Sequence, residues 1–216
     1  MKLLVNPSPE KWKKQLARPV QKTKEINKIV KPIFEKVEKN GDKALKKFAQ
    51  EYDHVNLESL LVTPEEIKAA KDQISKELKE AIKIAKANIE KFHAAQATAE
   101  LIEEVMPGVV CRRKSVPIQR VGLYIPGGTA TLFSTVLMLG VPAKIAGCKE
   151  TVLCTPPNRE GKIHPAILYT ADLVGITKIV KVGGAQAVAA LTFGTESVPQ
   201  VDKIFGPGNQ YVTAAK

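Results

Sequence analysis

The stretch VGLYIPGG, residues 121–128, is a short apolar run that ends in a proline and two glycines. Its length and composition are typical of a buried β-strand that leads into a tight loop. A helical pattern follows over about 132–146, so a strand, a glycine loop and a helix come in direct succession. This order predicts the first unit of an α/β fold.

The same alternation of strand and helix continues towards the carboxyl end of the chain. Predicted strands cover residues 109–116, 121–125, 151–154, 178–182 and 201–205. From the second of these onwards, predicted helices lie between the strands, which is typical of repeated βαβ units and a parallel sheet. Right-handed crossovers then place the carboxyl ends of these last four strands at one edge.

Residues 1–105 have a different character, because only one of the 14 glycines, Gly41, lies before Met106. Apolar residues three and four positions apart predict amphipathic helices here. We expect Pro32 to kink or divide the first long helix, Asn40-Gly41 to end it, and Asp42 to cap the next one. The sequence therefore predicts a mainly helical region at 1–105 and a sheet domain at 106–216.

Most apolar residues of the helical region are assigned to the core. On the long helix that begins after Thr63-Pro64-Glu65-Glu66, the predicted core face carries Ile74, Leu78, Ile82, Ala85, Ile89 and Phe92. The shorter helix before it carries Leu45, Phe48 and Tyr52. His54 and His93 have no second ligand residue at a chelating spacing, so we expect no catalytic group in this region.

The composition excludes several classes of protein. With 44% hydrophobic and 25% charged residues, the chain is not intrinsically disordered. No apolar run reaches the roughly 20 residues of a membrane span, and the start is not a signal peptide. The three cysteines match no metal spacing and favour a reducing, cytoplasmic compartment. The net charge of +11 leaves a basic nucleic-acid-binding module as the alternative outside enzymes.

Three of the four parallel strands end in a glycine loop that enters a helix: PGG, GGAQ and GPGN. Such loops at one sheet edge favour a phosphate or dinucleotide site. G-x-G-x-x-G is absent, and the strand that ends at Cys154-Thr155-Pro156 lacks the acidic residue that would hold a ribose. The candidate ligand contacts are therefore Tyr124, Gln186 and Asn209, which supply a hydroxyl and two amides.

Several long motifs resemble the L-histidinol dehydrogenase family. In chain order they are RVGLYIPGG, LFSTVLML, AKIAGCKE, VGGAQAVAAL, FGTESVP and VDKIFGPGNQYV, over about residues 119–216. The helical first part, including NIEKFH, is similar more loosely. The resemblance implies incomplete Rossmann-like domains on an aldehyde-dehydrogenase-like plan and an intertwined homodimer.

The resemblance also implies an activity. The family oxidises L-histidinol through L-histidinal to L-histidine, the last step of histidine biosynthesis, with two NAD and zinc. By motif match, NAD would be held by Tyr124, Gln186 and Asn209, and Ser134 would face the substrate. No nucleic-acid or membrane partner is expected.

The chain is shorter than the members of the family that it resembles. The family continues beyond GPGN for about as many residues again, and its zinc ligands and Glu-His acid/base pair belong to that part. We therefore expect the 216-residue chain alone to bind no zinc and to be inactive. The alternative enzyme, an aldehyde-dehydrogenase-like one, needs a nucleophilic cysteine, and the apolar contexts of Cys111, Cys148 and Cys154 disfavour it.

Overall fold

The computed structural model describes residues 4–17, 23–128, 130–176 and 178–216. The α-helices are α1 (Pro9–Gln15), α2 (Thr23–Phe48), α3 (Pro64–Ala70), α4 (Lys76–Ala94), α5 (Phe133–Ala146), α6 (Pro165–Val174), α7 (Gly184–Phe193) and α8 (Gln210–Ala215). The strands are β1 (Leu101–Met106), β2 (Val109–Arg113), β3 (Arg120–Tyr124), β4 (Glu150–Thr155), β5 (Lys178–Lys181) and β6 (Lys203–Phe205). A π-helical turn (Ala49–Asp53) extends α2. This order confirms the α/β class.

Four of the described strands form a parallel sheet in the order β5-β4-β3-β6. Tyr124 of β3 pairs with Cys154 of β4, and their side chains join the core cluster on one face. The preceding pair, Leu123 and Leu153, joins the cluster on the other face. Side chains that alternate between two buried faces explain why these strands are continuously apolar. The predicted parallel sheet is therefore confirmed.

Helices cover both faces of this sheet. The helices α2, α7 and α8 pack on one face, whereas α3, α4, α5 and α6 pack on the other. The helical N-terminal part thus contributes to both layers. The predicted division at residues 105 and 106 falls within a β-hairpin, and the domain boundary stays a prediction.

The strand predicted at 109–116 is shorter than expected and has a partner that the sequence analysis missed. The strand β2 ends at Arg113, and it pairs antiparallel with β1. The two strands turn at Gly108, whose φ is +80° and whose amide donates to the Glu104 carboxylate (2.8 Å). Every residue of both strands is exposed. A strand with no buried face lacks the alternation of apolar and polar residues by which strands are recognised, which explains why β1 was not predicted.

The last strand is also shorter than predicted, because β6 begins at Lys203 rather than at residue 201. The amide of Val201 donates instead to the carbonyl of Leu191 in α7 (2.9 Å). The backbone of Val201 therefore connects the sheet to a helix before the strand begins.

Pro32, which was predicted to kink or divide α2, does not interrupt the helix. The break lies at Gly41 (φ +47°, ψ −132°), where two helical segments meet at a kink, as the prediction of a helix end at Asn40-Gly41 implies. Pro32 has no amide proton to donate to the carbonyl one turn earlier in the helix. Because Pro32 lies on the exposed side of α2, water can hydrate that carbonyl instead. Asp42 does not cap a helix; its carboxylate accepts from the Thr195 hydroxyl (2.6 Å) and from the Ser197 hydroxyl and amide. The predicted cap is wrong because a distant loop supplies stronger partners.

The predicted core face of α4 is only partly correct. Ile82 is buried, but Phe92 is 67% exposed and contacts the ring of His93. Periodicity identifies a helix face but not how far a neighbouring element extends along it. Among the described residues, no helix has both the length and the apolar character that a membrane crossing requires.

Candidate functional site

A cleft of about 690 Å³ opens at the edge of the sheet where the parallel strands end. Its walls come from the loops that follow β3, β4 and β5 and from the start of α8. The cleft brings together all three predicted contact residues, Tyr124, Gln186 and Asn209. Ligands of open α/β sheets bind at this kind of edge.

Tyr124, the last residue of β3, is almost fully buried against the start of α7. Its hydroxyl accepts a hydrogen bond from the amide of Gly184 (3.1 Å). Burial raises the pKa of Tyr124, although this hydrogen bond opposes the shift. The phenol is therefore neutral near pH 7, and its proton remains free to be donated to a ligand.

Gln186 lies in the first turn of α7 and is 5% exposed. The adjacent Gly184 has a φ of +62°, and a Cβ there would lie 2.6 Å from the amide oxygen of Gln186. The positive φ favours a glycine at this position, and an added Cβ would also displace the Gln186 amide. The side chain of Gln186 therefore lies back across the amino-terminal end of its own helix.

Asn209 is the N-cap residue of α8. Its amide oxygen accepts from the amides of Tyr211 (3.0 Å) and Val212 (3.1 Å). Because the oxygen satisfies the helix start, the NH₂ group is the part of this side chain that can reach a ligand.

Two of the loop glycines allow the backbone to pack against a proline ring, rather than allowing it to come close to a ligand. A Cβ on Gly127 or on Gly183 would lie 2.6 Å from the ring of Pro156, which follows β4. By contrast, Gly128 has open space around its Cα. The proline ring therefore sets the positions of the loops after β3 and β5, and it forms a rigid wall of the cleft.

Two further lining residues, Tyr52 and Asp53, come from the helical N-terminal region, where no functional group was expected. The tyrosine was predicted to be core, but it is 48% exposed and stacks on Phe48 at 5.6 Å. Burial raises the pKa of Asp53, while the nearby His54 opposes the shift. A π-helical turn brings both residues to the cleft, and no sequence pattern identified this turn.

Ser134, the predicted substrate contact, lies elsewhere. It is exposed in the first turn of α5 and is absent from the described lining of the cleft. A second cleft of about 420 Å³ shares the loops after β3 and β4, and its described lining does not include Ser134 either. The role of Ser134 stays a prediction.

The cysteines do not form part of either cleft. Cys154 is fully buried in β4, which raises the pKa of its thiol to about 12. Cys148 is half-buried with a raised pKa, also through burial, and Cys111 lies on the exposed hairpin. A thiol with a raised pKa is a poor nucleophile at neutral pH. This disfavours the aldehyde-dehydrogenase-like alternative.

The described residues contain no group of three or more His, Cys, Asp or Glu side chains that could hold a metal ion. His164, in the second cleft, uses its Nδ1 to accept from the amide of Ala166 (3.1 Å) and so caps α6.

Comparison with known proteins gives one consistent result. The family model described as histidinol dehydrogenase matches residues 16–216. The chain is 58% identical to the histidinol dehydrogenase of Bacteroides thetaiotaomicron over its whole length, which is 50% of that protein. It is 51% identical to the Salmonella typhimurium enzyme, covering 97% of this chain and 48% of that one. The chain thus spans about half the length of these relatives.

Two further relatives extend this result. Against the crystal structure of histidinol dehydrogenase from Elizabethkingia anophelis the TM-score is 0.90, with 53% identity over 98% of this chain and 49% of that chain. The histidine biosynthesis trifunctional protein of Saccharomyces cerevisiae is 51% identical over 94% of this chain. By family match, sequence identity and fold, the chain belongs to the histidinol dehydrogenase family.

Proposed function

We propose that the whole protein is an NAD-dependent histidinol dehydrogenase and that residues 1–216 supply its NAD-binding part. The reaction is the oxidation of L-histidinol through L-histidinal to L-histidine. The observation that carries the proposal is the convergence of Tyr124, Gln186 and Asn209 on one cleft at the carboxyl edge of a parallel sheet. Family membership supports the choice of reaction.

The residues of this chain bind and orient the cofactor. The Tyr124 hydroxyl, the Gln186 amide and the Asn209 NH₂ group offer donors from three lining residues of the cleft, and Gln186 also offers an acceptor. The amino-terminal end of α7 favours an anionic group such as a pyrophosphate. When bound, NAD supplies the acceptor for hydride.

Zinc does not fit the described residues, because none of their side chains cluster as a metal site would require. We therefore derive no step that uses zinc from this chain. A homodimer and a cytoplasmic location are parts of the same proposal, by the family resemblance.

Isothermal titration calorimetry with NAD tests the cofactor proposal on the 216-residue chain itself. We expect saturable binding at one site per chain, and we expect Tyr124→Phe to weaken it because the donated proton is lost. Competition by excess ADP-ribose should reduce the heat. A flat titration with NAD at millimolar concentration would overturn the assignment.

A further inference from the structure

Among the described residues that line the cleft, one side chain, Asp53, is charged. In dinucleotide-binding sheets an acidic residue beyond the second strand binds the ribose hydroxyls. Here the corresponding strand is β4, beside β3 in the sheet, and it ends in Thr155, Pro156 and Pro157 without an acid. Asp53 lines the cleft together with these two prolines.

The backbone holds Asp53 firmly at this place. It is the last residue of the π-helical turn, and His54 follows it in the left-handed conformation (φ 56°). Such a conformation in a non-glycine residue is uncommon and persists where surrounding structure imposes it. The amide of Val55 donates to the Ala49 carbonyl (3.3 Å), which closes the turn.

The chain is anchored again a few residues later, at the edge of the sheet. Leu61 forms an antiparallel bridge with Val180 of β5. The amide of Val62 donates to Ile179 (3.0 Å), and the amide of Lys181 donates to Leu60 (2.7 Å). The segment that carries Asp53 is therefore fixed at one end by α2 and at the other by the sheet.

The electrostatic character of the cleft adds to this placement. Among the described residues that line it, Asp53 is the only charged one, and none is lysine or arginine. The Asp53 carboxylate forms no hydrogen bond to a described residue, so its oxygens are available as acceptors. An extra phosphate on a ligand here would meet a carboxylate and no lysine or arginine among the described lining residues.

We propose that Asp53 selects NAD over NADP, by accepting hydrogen bonds from ribose hydroxyls and by repelling a phosphate ester at that ribose. The inference rests on the proposed function, since it requires a dinucleotide in this cleft. The half-exposed ring of Tyr52, next to Asp53, offers a flat apolar surface for the attached base.

The test is calorimetric titration of the 216-residue chain with NAD and with NADP. We expect the wild type to bind NAD at least about tenfold more tightly, and Asp53→Asn to reduce this ratio about tenfold. Asp72→Asn changes an exposed aspartate of the 3-10 turn after α3 and serves as the matched control, with an unchanged ratio. Asp53→Ser is titrated as a second variant with the same expectation, and circular dichroism checks that each variant folds.

The outcomes separate the two proposals. If the wild type binds NAD but both Asp53 variants keep its preference over NADP, the role of Asp53 is overturned and the cofactor assignment stands. If the wild type binds NAD and NADP equally, the role of Asp53 is overturned as well. If the wild type binds neither dinucleotide, the proposed function is overturned and the inference with it.

Discussion

At the scale of single residues, the side chains around the cleft combine support of the fold with contact to a ligand. Asn209 caps α8 through its oxygen, and the hydroxyl of Tyr124 accepts from the amide of Gly184. Replacement by alanine therefore removes local support and a ligand contact at once. A substitution that keeps the support is the sharper test of the contact.

We predict that Gln186→Ala and Asn209→Ser each weaken NAD binding about two- to tenfold, since one hydrogen bond is worth about 0.5–1.5 kcal/mol. Serine preserves the capping oxygen at position 209, so the thermal midpoint of that variant should match the wild type. Asn209→Ala is the comparison and should also be less stable. Unchanged NAD affinity in both of the first two variants, measured by calorimetry, would show the cofactor assignment to be wrong.

A second prediction concerns Gly206, where a Cβ would lie 2.1 Å from the carbonyl oxygen of Tyr124 and φ is +135°. We expect Gly206→Ala to lower the free energy of unfolding by about 2–4 kcal/mol, through overpacking added to backbone strain. Gly175→Ala is the control, because φ is +88° there but the space is open. It should cost only about 1–2 kcal/mol. Equal losses in urea denaturation would refute the steric argument.

At the scale of elements, Glu66 connects a helix start to the sheet. Its carboxylate accepts from the amide of Thr63 (2.8 Å) while Thr63 accepts from the amide of Glu66 (3.2 Å), which is the predicted capping box of α3. The other carboxylate oxygen accepts from the ammonium group of Lys181 in β5 (2.8 Å), which is 8% exposed. Burial by itself raises the pKa of Glu66, but the hydrogen bonds from Lys181 and Thr63 outweigh it and lower the pKa.

We predict that Glu66→Gln lowers the free energy of unfolding by about 1–3 kcal/mol near pH 7, because a buried ammonium group loses its charged partner. Glutamine keeps an oxygen for the capping box. Because the pKa of Glu66 is lower in the folded chain than in the unfolded chain (about 4.5), the ionised carboxylate stabilises the fold above about pH 4.5. This stabilisation is lost as the pH falls through the pKa of Glu66 in the folded chain. The difference from wild type should therefore shrink below about pH 4.5.

Glu80→Gln is the control for Glu66→Gln, since Glu80 pairs with Lys83 on the exposed surface of α4. Exposed pairs contribute about 0–1 kcal/mol, so this variant should stay close to wild type at every pH. Urea denaturation along a pH series measures both variants. A loss in Glu66→Gln that persists unchanged at low pH would contradict the role of the ion pair.

At the scale of the whole molecule, the hairpin of β1 and β2 stands out because every residue of both strands is exposed. A two-stranded hairpin alone is marginally stable in water, and exposed apolar side chains promote association. Ile102 and Val110 are each 51% exposed, and the register places them on the same face.

We predict that the chain forms dimers or larger species at micromolar concentration, measured by light scattering after size-exclusion chromatography. The double variant Ile102→Lys with Val110→Lys should shift the chain towards monomer, because it removes two exposed apolar side chains from one face of the hairpin and adds charge. Ile84→Lys changes an isoleucine of α4 that is even more exposed (62%), and it should leave the mass unchanged. A wild-type mass that equals the monomer at every concentration would show the prediction to be wrong.

The sequence by itself determined the parallel sheet and the edge at which the cleft lies. Apolar strands, glycine loops and helices recur along residues 121–212, and the handedness of βαβ connections converts this order into topology. The convergence of Tyr124, Gln186 and Asn209 could be predicted because each lies at or shortly after the carboxyl end of its own strand. The capping box at the start of α3 was predictable too, since caps depend on neighbours in the chain.

Only the tertiary structure decided which residues come to the cleft from elsewhere. Asp53 and Tyr52 arrive there because α2 packs across the sheet on α7 and then ends in a π-helical turn. The partners of Asp42 and the exposure of Phe92 depend in the same way on contacts between elements distant in sequence. Local periodicity and turn residues report on a few neighbouring positions, whereas these contacts are selected by the packing of whole helices, which no short pattern encodes.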